Sequence, residues 1–157
     1  MKVHELMSNQ PITAKLNTSF IELWRLIFEK HISGVPIVDP QNTLEGIVSE
    51  EDIIEKLYPS YEDFIFDPQS ALDFEEMERN LPDLHKLTAR DLMNKDVYTT
   101  TEETPIMKAA SSMMIYKVSC LPVVRNRKEK KVIVGIICKG DIFSHLFRLN
   151  LGKKETK

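Results

Sequence analysis

The sequence predicts an α/β (α+β) fold: two pseudo-twofold-related β-α-β-β-α repeats packed as one module, with a helical insertion between them. Three observations lead there. Residues 5–39 recur without a gap as residues 91–125, at an offset of 86, keeping Leu6/Leu92, Met7/Met93, Thr13/Thr99, Thr18/Thr104, Ser33/Ser119, Pro36/Pro122 and Val38/Val124 identical. After a turn three residues longer in the second copy, the match resumes at offset 89 with Gly46/Gly135, Ile47/Ile136, Asp52/Asp141, Ile53/Ile142 and Leu57/Leu146. Within each copy the apolar spacing alternates between helical and strand periods in the same order. One such unit is too small to cover both faces of its sheet, so two copies are expected to pack together.

In the first copy Ile12 and Thr13 read as a short extended entry. A helix is expected from Ser19, with Glu22 completing an S-x-x-E capping box. Phe20, Leu23, Trp24, Ile27 and Phe28 are its apolar face, and Gly34 is expected to break it. Val35 to Val38 reads as a strand with its proline near the start, where a missing N–H matters least. Asp39-Pro40-Gln41-Asn42 is a turn. Leu44 to Val48 is a second strand, and Glu50 to Leu57 a second helix.

The second copy repeats this order. Thr104 is the expected N-cap, with Pro105 at the first helical position. Ile106, Met107, Ala110, Met113 and Met114 form the apolar face of that helix, the methionines serving a core or a dimer interface. Leu121 to Val124 and Val132 to Cys138 are strands joined by 126–131, and Asp141 to Leu149 is the closing helix. Residues 58–88 have no counterpart. Phe64, Phe66, Leu72, Phe74, Met77 and Leu81 give two helical pieces, expected to lie on the pair of repeats. The expected organisation is repeat 1 over 1–58, an acidic helical insertion over 59–88, repeat 2 over 89–149 and a basic tail over 150–157.

Bulk properties exclude several classes. At 157 residues and 42% hydrophobic, the chain can bury a core and lacks a disordered composition. A net charge of −3 carries no general nucleic-acid signal. The longest apolar run, Val132 to Cys138, is too short to span a membrane, and MKVHELMS is no signal peptide. Cys120 and Cys138 lie inside predicted strands without CxxC spacing, which favours reduced thiols over a disulfide and a cytoplasmic location. His4, His31, His85 and His145 have no metal-ligand spacing, and no metal is expected. No nucleophile–base pair or glycine-rich phosphate loop stands at usable spacing, so no catalytic residue and no enzyme activity are expected.

The order LM, Thr, helix, S-G-V-P-I-V-D, then G-I-V-S-x-x-D-I resembles the cystathionine-β-synthase (CBS) domain, and its duplication resembles a Bateman module. The resemblance covers both repeats. It implies a stand-alone regulatory pair that binds AMP, ADP, ATP or S-adenosylmethionine in clefts between the repeats, forms disk-like dimers and carries no catalytic cofactor. A protein partner that reads the ligand state is also implied. In that family the aspartate closing G-h-h-[ST]-x-x-D holds the ribose hydroxyls. Here it is Asp52 in the first copy and Asp141 in the second.

The chemistry of the residues agrees with that implication. A carboxylate has acceptors for both hydroxyls of a ribose diol. Ser49 and Cys138 stand three residues earlier, at a helix start whose N–H groups favour phosphate. Ser33-Gly34-Val35 and Ser119-Cys120-Leu121 offer free backbone groups and an apolar wall for a purine. Thr13 and Thr99 lie where the family's entry strand lines the cleft.

The two sites are not expected to be equivalent. Glu50 and Glu51 follow Ser49 and repel polyanions, whereas Lys139 and Gly140 favour phosphate but Cys138 replaces the hydroxyl with a weak donor. This pattern favours AMP or ADP over ATP. The alternative is a ligand-free dimeric scaffold whose nucleotide sites have decayed. Apolar helix faces carrying Phe20, Trp24, Met113, Met114, Phe143 and Phe147 point to a homodimer in either case.

Overall fold

Short-range capping contacts start several helices of this chain. In the computed structural model, which describes residues 1–69 and 74–150, Ser19 Oγ accepts from Glu22 N at 3.3 Å, opening helix α1 (Phe20–Trp24). α1 runs on into a wider π-helical turn, Arg25–Glu29, closed by Lys30 N donating to Arg25 O at 3.0 Å. Phe20, Trp24 and Phe28 pack one turn apart in tilted ring contacts, at centroid distances of 5.7 and 4.7 Å. The helix ends at His31, whose φ of 56° reverses the chain. Gly34, expected to break the helix, is instead the first residue of strand β1 (Gly34–Val38).

β1 is buried along its whole length. It pairs with β2 (Leu44–Ser49), whose burial alternates with period two. The turn between them has Asn42 at φ 61°. A third strand position is supplied by Ala14, which bridges Ile37 in parallel. β2 leads directly into α2 (Glu50–Glu55).

The intervening segment holds α3 (Tyr61–Phe66), α4 (Phe74–Asn80) and a 3-10 turn, Leu81–Lys86. Two helical pieces are as expected, but their apolar spacing does not mark a buried face. Phe64, Phe66, Phe74 and Leu81 are all exposed, with Phe66 at 86%. Among the described residues of the segment, Leu84 and Leu87, at its end, pack on a core. Leu72 and residues 151–157 of the expected tail lie outside the described residues.

The second copy begins at α5 (Ala89–Leu92), a short turn of helix that the sequence reading did not assign. α6 (Ile106–Ile115) starts one residue later than expected, with Pro105 at the N-cap. Lys117, the equivalent of His31, ends it with φ 56°. β3 (Cys120–Arg127) and β4 (Lys130–Cys138) pair antiparallel from Cys120↔Cys138 to Arg127↔Lys130, with a bulge at Val123/Val124. Their turn is only Lys128-Glu129, both left-handed at φ 47° and 64°, so the hairpin is longer than predicted. α7 (Lys139–Asn150) closes the copy.

The chain divides into two compact units that do not follow the repeat boundaries. One is Thr13–Asp39 with Glu45–Lys95. Its core includes Leu23, Val35, Ile37, Val48, Ile53 and Leu92. The other is Met1–Ile12, Pro40–Leu44 and the described residues from Asp96 onward. Its core includes Val3, Met113, Leu121, Val123, Ile137 and Ile142. Each fully buried Leu, Ile or Met contributes about 1.5–3 kcal/mol relative to exposure.

Each unit therefore takes its lead-in segment from the residues preceding the other repeat, and the two are built alike. Ile47 and Asn94 exchange backbone hydrogen bonds at 3.0 and 2.9 Å in one unit, and Ser8 and Ile136 at 2.9 and 3.1 Å in the other. The repeated glycine and methionine of the two copies have their cause here. A Cβ on Gly46 would lie 2.6 Å from Met93 Sδ, and one on Gly135 would lie 2.7 Å from Ser8 O and 2.9 Å from Met7 Sδ. Only glycine allows that approach.

Candidate functional site

In the first unit described above, Ser49 and Asp52 form a reciprocal cap on α2. Ser49 N and Oγ both donate to Asp52 Oδ2, at 2.6 and 2.8 Å, and Asp52 N donates to Ser49 Oγ at 3.4 Å. Asp52 is half-buried, and its Oδ1 has no hydrogen bond to a described residue. Gly34 lies against the end of β2, since a Cβ there would meet Ile47 Cδ1 at 3.3 Å and Val48 O at 3.9 Å. This brings Ser33 and Gly34 alongside the Ser49 cap. Thr13 is half-buried beside Ala14, whose N–H donates to Pro36 O at 3.0 Å.

The other unit has the same frame with different chemistry. Thr99 precedes Thr100, which donates to Pro122 O at 3.0 Å and accepts from Val124 N at 2.9 Å. Lys139 N donates to Ser119 O at 2.9 Å, so Ser119 and the start of α7 are joined. Cys138 N donates to Asp141 Oδ2 at 2.8 Å. Only one donor from the described residues engages Asp141, against two at the same oxygen of Asp52. More of the Asp141 acceptor capacity is therefore left over, and the residue is exposed.

Two expectations need correction. Cys120 and Cys138 are not reduced thiols; they form a disulfide, with Cα atoms 4.0 Å apart. Ser119 and Lys139 are hydrogen-bonded neighbours, so Cys120 and Cys138 form the adjacent non-hydrogen-bonded pair, where antiparallel side chains come closest. Cys138 accordingly has no S–H to donate. Val35 and Leu121 offer no purine wall, because they are 0% and 1% exposed within the two cores. Their strands are covered on both faces.

A cavity of about 320 Å³ opens beside Asp141, lined by Leu6, Gly140, Asp141, Ser144, His145 and Arg148. Ser144, His145 and Arg148 were absent from the sequence reading. The signal was present, because positions three, four and seven after Asp141 share its face of a helix. Lys139, the expected phosphate partner, does not line this cavity. The equivalents in the first copy are Glu55, Lys56 and Pro59, so Arg148 has no basic counterpart there.

Comparison with known proteins places this architecture. An uncharacterized protein of Methanocaldococcus jannaschii is 29% identical over 157 residues, covering 93% of this chain and 91% of that protein. The solved CBS domain pair of protein MJ0100, in complex with 5′-methylthioadenosine and S-adenosyl-L-methionine, is 30% identical. It superposes with a TM-score of 0.69 over 98% of each chain. The structure of CBSX2 in complex with AMP shares the fold at a TM-score of 0.68 and 23% identity, covering 94% of this chain and 97% of that one. Among the described residues no helix is long and apolar enough to cross a membrane. The CBS domain signature matches residues 3–59 and again 89–148, and the chain belongs to the CBS domain family as a tandem pair.

Proposed function

We propose that this chain is a non-catalytic regulatory module that binds an adenosine-containing ligand through Asp52 and Asp141. One observation carries the reading. Two equivalently placed aspartates each fold one oxygen back onto a helix cap and leave the other for a ligand. That arrangement suits a ribose diol beside helix N–H groups. The ligands bound to the CBS pair of MJ0100, 30% identical, are of this class. Thr13, Ser33 and Gly34 would flank the Asp52 site, and Thr99, Ser119 and Lys139 the Asp141 site.

AMP or ADP is favoured over ATP. Exposed Glu50 and Glu51 stand on the first turn of α2, where a longer phosphate chain would meet them. On the Asp141 side, Arg148 and His145 line the adjoining cavity and would draw the phosphate, with S-adenosylmethionine as the competing cationic ligand. Calorimetric titration of AMP, ADP, ATP and S-adenosylmethionine tests this on wild type, Asp52→Ala, Asp141→Ala, Lys139→Ala and Arg148→Ala. Tighter ATP than AMP binding in all five proteins would overturn the preference.

The assembly expected is a homodimer. Met114 (64% exposed), Phe147 (53%) and Phe143 (46%) form unpartnered apolar surface on α6 and α7. Phe20 and Met113, counted with them from the sequence, are buried and do not contribute. A monomeric mass by light scattering at micromolar concentration would exclude the dimer.

A further inference from the structure

The disulfide sits where the other repeat has nothing comparable. Cys120 occupies the position of Gly34, and Cys138 that of Ser49. In the first copy a serine hydroxyl donates to the ribose-facing aspartate at 2.8 Å. In the second, a sulfur held by its neighbour strand leaves Asp141 with the Cys138 N–H alone. The covalent link thus stands one residue before α7 and three before Asp141. It ties the first residue of β3 to the last of β4, so the cap geometry depends on it.

We propose that Cys120–Cys138 is a reversible redox modification site that sets the position of Asp141, giving one unit a thiol–disulfide response that the other lacks. The effect on ligand affinity rests on the adenosyl reading above; the chemistry of the cysteine pair does not. The reductant class is a small dithiol. Cys138 is half-buried while Cys120 is 6% exposed, so attack falls on the Cys138 sulfur. One reductant thiolate forms a mixed disulfide with Cys138 as the Cys120–Cys138 bond breaks, and Cys120 leaves as thiolate. The second reductant thiol then displaces Cys138, closing its own disulfide. The dithiol loses two electrons, and the two cysteines gain them with two protons. A low-molecular-weight disulfide such as oxidised glutathione reverses the exchange.

In the reduced state the tether is gone, and a thiol is a poorer cap than the Ser49 hydroxyl. Asp141 then loses its fixed orientation, while Asp52 is unaffected.

The test begins with thiol titration of the folded protein, in oxidised glutathione and again after dithiothreitol. No free thiol and then both thiols are expected. Hydrogen exchange on residues 138–142 is expected to be at least about fivefold faster in the reduced form, with residues 49–53 unchanged. AMP titration in an Asp52→Ala background is expected to show about three- to tenfold weaker binding after reduction. The double variant Cys120→Gly with Cys138→Ser, which copies Gly34 and Ser49, should be indifferent to dithiothreitol.

Free thiols persisting in oxidised glutathione, or equal exchange rates in the two states, would overturn the proposal. So would equal AMP affinity in both states, or a dithiothreitol response in the double variant. If titration and exchange behave as expected but AMP binds neither form, the adenosyl reading fails and the redox site stands.

Discussion

The two units share a frame and differ in how they secure the same helix start. Around Asp52 the cap is a hydroxyl: Ser49 gives two donors to one carboxylate oxygen, and Gly34 keeps the facing strand bare. Around Asp141 the cap is a covalent staple with one donor and a cavity lined by His145 and Arg148. Duplication preserved the backbone geometry, which depends on caps, glycines and left-handed helix ends. It did not preserve the side chains that would meet a ligand. The backbone frame is common because it is set by packing, whereas the sites are free to diverge.

The largest expected break in this comparison lies at the paired glycines. Gly135→Ala should destabilise by about 2–3 kcal/mol, because the new methyl meets Ser8 O, a backbone atom that cannot swing aside. Gly46→Ala should cost about 1 kcal/mol, since its nearest neighbour is the flexible Met93 thioether. Urea denaturation of both variants measures the difference, and equal losses would show that the two lead-in segments are held alike and the contrast fails. Met93→Ala should partly rescue Gly46→Ala, while Met7→Ala should not rescue Gly135→Ala.

A second contrast concerns the aspartates. Asp141→Ala should weaken AMP about ten- to a hundredfold at its own site, the equivalent of about 1–3 kcal/mol. Asp52→Ala should do the same at the other site, and in addition lose about 1 kcal/mol of folding stability with the reciprocal cap. Thermal melts without ligand separate the two effects. A larger stability loss for Asp141→Ala would reverse the ranking of the caps.

A pH experiment sharpens the comparison of the lead-in segments. The Asp91 carboxyl is held below its ordinary value by the Thr88 backbone N–H and then by the Thr88 hydroxyl, at 2.8 and 3.0 Å. A depressed folded-state pKa stabilises the fold at pH above the unfolded value of about 3.9, and the contribution is lost as pH falls through the lowered value. Asp91→Asn should therefore flatten part of the acid limb of stability below pH about 4. An unchanged acid limb in the variant would remove this cap from the account.

The smallest effect is expected at the hairpin turn of β3 and β4. Lys128 and Glu129 both hold positive φ, where a side chain is unfavourable. Replacing them with Asn-Gly should stabilise by about 0.5–1 kcal/mol, with a melting temperature a few degrees higher. No such gain is expected at the equivalent turn of the first copy, between β1 and β2, which already has Asn42 at positive φ.

What the sequence by itself determined is what short-range chemistry and repetition encode. The duplicated order of elements, the strand and helix positions to within a few residues, and the Ser19, Ser49 and Asp141 helix starts all follow from contacts within four residues or from the repeat. Tertiary structure decided the rest, because each remaining feature depends on atoms far apart in the chain. The exchange of lead-in segments, which explains why Met7 and Met93 accompany Gly135 and Gly46, spans 128 and 47 residues. The exposure of Phe66 and Phe74 contradicts their helical spacing, since spacing marks a face without saying what covers it. Cys120 and Cys138 are 18 residues apart and become a bonded pair only through the β3–β4 register. The side chains of Val35 and Leu121, apolar residues beside a supposed ligand wall, were withdrawn into the cores because their strands are covered on both faces.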